Sequence, residues 1–244
     1  MKFGYMAGFR SDLLSEIRFA KKYFNFIEIT IQPELFKNFD SIFNDIEKEL
    51  KDFEVLGHIH WEATDINDIK KNIDFLKKLN AKKATLHPFE NLSLDENAEM
   101  FNKINSFFKE GNMQLLIENV TREPYNLSDT IKNLLDKIPD AKLTLDIGHA
   151  NKSSELEKFI DSLGSKIGHI HMHDNIGQAD HLFFDNADKL KNIISKIKSF
   201  GYDDTILMET FSIMKNNKNE SQEFEPIKEQ HIKQLEIINN GISN

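Results

Sequence analysis

The chain has 244 residues, with 31 Lys and Arg against 40 Asp and Glu, a formal net charge of −9, nine His and no Cys. At 39% hydrophobic it carries enough apolar material for a sizeable core, which argues against disorder; without cysteine there is no disulfide framework, thiolate metal site or thiol nucleophile. The opening MKFGYMAGFRSDLL has no secretory h-region and no run of about 18 apolar residues follows, so a cytoplasmic, non-spanning protein is expected, and the acidic balance argues against one that coats nucleic acid.

In chain order, short apolar runs begin at Lys2 (KFGYMA), Phe26 (FIEIT), Val55 (VLGHIHW), Lys82 (KKATLHP), Gln114 (QLLIENV), Leu143 (LTLDIGH), Ile167 (IGHIHMHD) and Thr205 (TILMET). Between them lie segments of helical period. In DLLSEIRFAKKYF, for example, Leu13, Ile17 and Ala20 share one face, while Glu16, Arg18 and Lys22 point elsewhere. A strand, a helix and a strand, repeated without a break, predict a single (β/α)8 TIM barrel spanning 1–244, closed by a final helix around Glu225 to Ile238. The most polar stretch, KNNKNESQEFE from Lys215, reads as a solvated connector or a loop over the barrel top.

Barrel enzymes carry their chemistry at the C-terminal strand ends. Here those ends hold His60, His87, Glu118, Asp146, His171, His173 and Glu209, with His149 three residues past Asp146. Side chains alternate along a strand, so Leu143, Leu145 and Ile147 face the helices while Asp146 faces the barrel axis. The same parity turns Glu118 and Glu209 inward, together with His169, His171 and His173. Carboxylates gathered in a barrel interior cost several kcal/mol each unless paired. A divalent cation resolves that cost, and an oxygen and imidazole set without sulfur suits Mn, Mg, Co, Fe or Zn. His58 and His169, deeper in their strands, read as hydrogen-bonded core residues, and His231 as a surface residue of the last helix. His173, beside Asp174, is either an orienting group or a substrate contact. Trp61 either walls a substrate or packs. No GxGxxG, GxxxxGK[ST] or GxSxG occurs, which removes the usual nucleotide and serine-hydrolase readings.

LLIENV, LTLDIGHA, HIHMHDN and ILMET resemble the xylose isomerase-like TIM barrel superfamily, which includes sugar and sugar-phosphate isomerases and epimerases and the endonuclease IV-type AP endonucleases. The resemblance implies a metal site of Glu118, Asp146, His171 and Glu209. On the isomerase and epimerase branch, Glu118 and Glu209 are also the acid/base pair, shifting protons through a metal-stabilised enediolate, and His149 meets a substrate hydroxyl. The substrate is then a small sugar or sugar phosphate, and the cofactor one ion of Mn, Zn, Co or Mg. The alternative branch is a zinc phosphodiesterase acting on abasic DNA, with up to three ions and His60, His87, His149, His181 and Asp180 as further ligands. In QADHLFFDN, however, Ala179 stands where that branch has the Asp of Asp-x-His, and Asp180 is one residue out. Asp185, Asn186 and Ala187 replace its Gly-x-Gly. Gly177 stands where epimerases often carry a substrate-binding Arg. The surplus histidines favour the phosphodiesterase, whereas compactness and the lack of Arg-rich stretches favour the isomerase or epimerase, which is the preferred reading.

Overall fold

Strand β2 (Phe26–Ile31) shows how the barrel is built: Ile27, Ile29 and Ile31 turn outward into the layer beneath the helices, and Phe26, Glu28 and Thr30 turn inward, all of them buried. The computed structural model describes residues 1–8, 12–60, 63–176, 179–210, 212–215, 218–221 and 224–242, with 33–41, 212–215, 218–221, 224 and 241–242 described by backbone alone. Its elements run β1 (Lys2–Ala7), α1 (Leu13–Tyr23), β2, α2 (Pro33–Leu50), β3 (Glu54–Ile59), α3 (Ile66–Lys78), β4 (Lys83–Leu86) and α4 (Leu94–Glu110). They continue with β5 (Gln114–Glu118), α5 (Ser128–Asp136), β6 (Lys142–Asp146), α6 (Ile147–Lys152), α7 (Leu156–Leu163), β7 (Ile167–Met172), β8 (Asp174–Ile176) and β9 (Ala179–Leu182). The last are α8 (Ala187–Ser199), β10 (Thr205–Met208), β11 (Ser212–Lys215), β12 (Lys218–Ser221) and α9 (Phe224–Ile242).

The eight apolar runs become the eight strands of a closed parallel barrel, β1-β10-β7-β6-β5-β4-β3-β2, with helices between them, so the fold is a (β/α)8 TIM barrel. Its interior is filled in part by an apolar cluster of Met6, Phe26, Leu56 and Leu207. Gly4 makes that filling fit, because a Cβ there would lie 2.1 Å from the Phe26 ring. Helix starts follow capping chemistry: Asp65 accepts from two backbone N–H groups of α3, and Ser93 and Glu96 form a reciprocal capping box on α4.

Three expectations need correction. Glu16 does not point away from the core. It is fully buried, accepting from the Tyr5 hydroxyl at 3.3 Å and from Gly8 N–H at 2.9 Å, which gives its charge partners in place of water. His231 is not on the surface, since it shares a buried stripe with Ile227, Leu235 and Ile238, and its ring packs against Tyr5, Phe24 and Phe183. Nor is the polar stretch from Lys215 a plain connector: within it, β12 pairs antiparallel with β11, in a second sheet ordered β12-β11-β9-β8. Among the described residues, no helix is long and apolar enough to cross a membrane.

Candidate metal centre at the barrel mouth

Glu118 closes β5, Asp146 closes β6, His171 sits near the end of β7 and Glu209 lies one residue past β10. All four are buried, and one potential ligand atom from each lies within 4.8 Å of the others. His171 Nδ1 is 2.9 Å from Glu209 Oε2 and 3.3 Å from Glu118 Oε1. Those three atoms are buried without a hydrogen-bond partner, an arrangement that is costly unless a cation lies among them. Three carboxylates and an imidazole, with no sulfur, are donors that Mn, Co, Zn or Mg accept.

The local electrostatics point the same way. Burial pushes the Glu118 carboxyl up, but the charges of His171 and His87 and the contacts of His171 and His58 outweigh it and hold it well below the usual range. Asp146 is lowered in the same way, with His149 and His173 overcoming burial. Burial lowers His171, yet Glu118, Glu209 and Glu28 raise it well above an ordinary imidazole. In the free protein a proton on His171 therefore supplies the positive charge that an ion would bring.

Asp146 is fixed from several sides. Its side chain accepts from His149 N–H at 2.7 Å and meets His173 Nε2 at 3.1 Å, while Asn119 bonds both its backbone N–H, at 2.8 Å, and its carbonyl, at 3.0 Å. Gly148 leaves room for His173, because a Cβ there would lie 2.0 Å from the imidazole Cε1. His173 is wedged between Asp146 and the Asp174 carbonyl, 3.1 Å from its Nδ1.

The other histidines divide into two flanks. On one, His87 Nε2 and His58 Nε2 lie 3.1 and 3.2 Å from Glu118 Oε2. The β3 residue that reaches the site is therefore His58, read from sequence as core, and His60 is buried just past the strand without lining the cavity. On the other flank, His149, His173 and His181 bring one nitrogen each within 4.8 Å of the others. Asp180 does not join that group, although its Oδ1 is 3.2 Å from His173 Nδ1 and its Oδ2 is 3.4 Å from Lys152 Nζ. Burial drives His181 down to about 4, so it is neutral. Trp61 and Gly177 lie outside the described residues.

Sequence reasoning missed Glu28. It is fully buried on β2, 3.2 Å from His171 Nε2 and 2.9 Å from His169 Nε2. The signal was its parity with Phe26 and Thr30, opposite the three isoleucines.

Above the four-residue set opens a cavity of about 540 Å³, walled by Thr64, His87, Asn91, Arg122, His149 and Asp180 among others. Residues 24–230 match the family described as xylose isomerase-like TIM barrel. The chain belongs to that family. A xylose isomerase-like barrel of this kind is similar over 145 residues, at 30% identity, to an uncharacterized protein of Methanocaldococcus jannaschii; the match takes in 50% of this chain and 57% of that one, a little over half its length. A solved D-tagatose 3-epimerase-like protein superposes with a TM-score of 0.76 at 21% identity, over 100% of this chain and 97% of its own. Endonuclease IV from Thermus thermophilus superposes with a TM-score of 0.62 at 11% identity, over 96% of this chain and 98% of its own. At these identities the two structures establish a common fold. Both kinds of chemistry named from the sequence motifs thus occur among proteins that share this barrel.

Proposed function

We propose that the chain is a divalent-metal-dependent isomerase or epimerase of a sugar or sugar phosphate. The observation that carries this reading is a pair of buried carboxylates, Glu118 and Glu209, 3.3 and 2.9 Å from His171 Nδ1 and lining a cavity of about 540 Å³. Such a volume suits a small polar substrate. Glu118, Asp146, His171 and Glu209 would hold the ion, which when bound supplies Lewis-acid stabilisation of the oxyanion that develops as a proton leaves the carbon beside a carbonyl. One glutamate takes that proton and the other delivers a proton. Return to the same carbon from the opposite face is epimerisation, and delivery to the neighbouring carbon is isomerisation. Asp146 stays a carboxylate throughout, held by His149 N–H and His173. His149 gives its Nδ1 hydrogen to the Asn119 carbonyl at 3.1 Å, leaving Nε2 to accept from a substrate hydroxyl.

A second reading, an endonuclease IV-like zinc phosphodiesterase acting on abasic DNA, is favoured by the two histidines on Glu118 Oε2 and by the His149, His173 and His181 group. Against it stand the cavity walls. Glu90, Glu118, Asp180 and Glu209 face Arg122, the one Lys or Arg among the described lining residues, and Arg122 is itself paired with Glu90 at 2.6 Å.

The deciding experiment incubates metal-supplied protein with a panel of ketoses, aldoses and their phosphates in D2O. The proposed function predicts deuterium at the carbon beside the carbonyl, abolished in Glu118→Gln and in Glu209→Gln. Absence of exchange, with nicking of an abasic duplex that weakens as salt rises, would replace it with the second reading.

A further inference from the structure

Behind His171 runs a line of buried polar groups for which the proposed reaction has no use. Glu28 places Oε1 3.2 Å from His171 Nε2 and Oε2 2.9 Å from His169 Nε2, at ion-pair distance although none of the four buried atoms is aligned in a hydrogen bond. His169 Nδ1 is 2.7 Å from Thr205 Oγ1. That hydroxyl accepts from the Lys83 ammonium at 2.9 Å, whose other hydrogens go to Asp204 Oδ2 at 2.8 Å and the Gly168 carbonyl at 2.9 Å. Lys83 opens β4 and Asp204 precedes β10, so the line crosses the barrel from its mouth to its opposite end.

Donor and acceptor chemistry gives the line a direction. The Thr205 carbonyl, 3.0 Å from His169 Nδ1, only accepts, so that nitrogen carries a hydrogen, as His149 Nδ1 does beside the Asn119 carbonyl. His169 Nε2 and Glu28 Oε2, 2.9 Å apart, then share one proton between them. On whichever of the two it sits, Glu28 Oε1 is an acceptor, which calls for a hydrogen on His171 Nε2. In the neutral ring, the form that can bind an ion, His171 Nδ1 is then the bare nitrogen, the atom that faces Glu118 and Glu209.

We infer that Glu28 is a positioning residue that keeps His171 in the tautomer and orientation whose Nδ1 binds the ion, with His169, Thr205 and Lys83 holding Glu28 in place; this rests on His171 being a metal ligand, as proposed above. Carboxylates behind ligating histidines generally act this way, and their loss weakens metal binding by about 10- to 100-fold. Glu28, His169 and His171 are themselves close enough to hold an ion. They would offer three protein ligands, all fully buried, whereas a closed zinc site takes four and a three-ligand site keeps an open position for water or substrate.

The test measures zinc affinity by chelator competition for the wild type and Glu28→Gln, with circular dichroism of the metal-free proteins as a check on folding, and ring ¹⁵N NMR of the zinc-loaded wild type. The expected result is a loss of about 10- to 100-fold in Glu28→Gln, with His171 bound through Nδ1 and protonated at Nε2 in the wild type. Equal affinity in Glu28→Gln overturns the inference. So does a second zinc ion lost from Glu28→Gln while the first keeps its affinity, since Glu28 would then be a ligand itself. If Glu28→Gln does not fold, the ring spectrum decides: zinc on Nε2 overturns the inference and zinc on Nδ1 with hydrogen on Nε2 supports it. A wild type that binds no zinc, manganese, cobalt or magnesium brings down the metal reading of the site, an outcome distinct from failure of the Glu28 role alone.

Discussion

His173 shows how one residue couples the site to stability. Burial works against its charged form, but the charge and contact of Asp146, aided by Glu209 and Asp180, outweigh burial and raise it to about 9. An unfolded histidine titrates near 6.5. The folded pKa is therefore the higher one, so the contribution of this ion pair is complete below about pH 6.5 and is lost as pH rises through about 9. Metal-free protein should lose on the order of 3 kcal/mol across that window, read by thermal or urea unfolding, and His173→Gln should flatten the difference. An identical pH profile in the variant would show that another group carries the effect. The same scale explains what the sequence concealed. Asp146, Glu118, His171 and Glu209 were visible because each closes an apolar run, where an ionisable side chain has no other reason to be. Glu28 was hidden because it interrupts a run from within, and a lone Glu between isoleucines declares its face only once its neighbours are known to be packed. His58 and His60 share a parity, so alternation could not tell which of them meets Glu118; strand length decides that, and β3 ends at Ile59.

At the scale of elements, the strand ends act as brackets. Asn119, just past β5, ties to the last residue of β6, and Gly148 in α6 admits the His173 ring that follows β7. Gly148→Ala would place a methyl 2.0 Å from that ring. The expected outcome is a loss of about 2 kcal/mol in stability together with weakened metal binding, since the displaced ring no longer holds Asp146. Unchanged metal affinity would mean that His173 does not orient Asp146. On β3, His58→Ala should cost tenfold or more in turnover, because it strips a partner from Glu118, whereas His60→Ala should stay within about threefold. The reverse order would contradict the assignment of His58 to the site. The eight barrel strands were legible because parallel strands buried on both faces read as unbroken apolar runs. β12 was not, because KNES has no apolar residue to mark a strand, and β11, SIMK, is only four residues long. α9 hid His231 for a related reason: the residue lies on the apolar stripe, but its type suggested water.

For the whole molecule, the sign and placement of charge matter most. A net charge of −9 and a mouth lined by four acids against Arg122 repel a polyanion and concentrate a cation. The barrel gathers its carboxylates at one end of the axis, where they need positive charge from protons or from an ion, and the raised His171 shows the proton solution. On the proposed reading, Glu118, Asp146, His171 and Glu209 bind a single divalent ion and the flanking histidines serve the substrate and the ligands. Metal content per chain, measured on protein purified without an affinity tag or added metal, tests this most directly, with Asp146→Asn as the partner sample. One ion per chain, lost in Asp146→Asn, is the predicted result. Two or three zinc ions per chain, or an ion retained by Asp146→Asn, would contradict it.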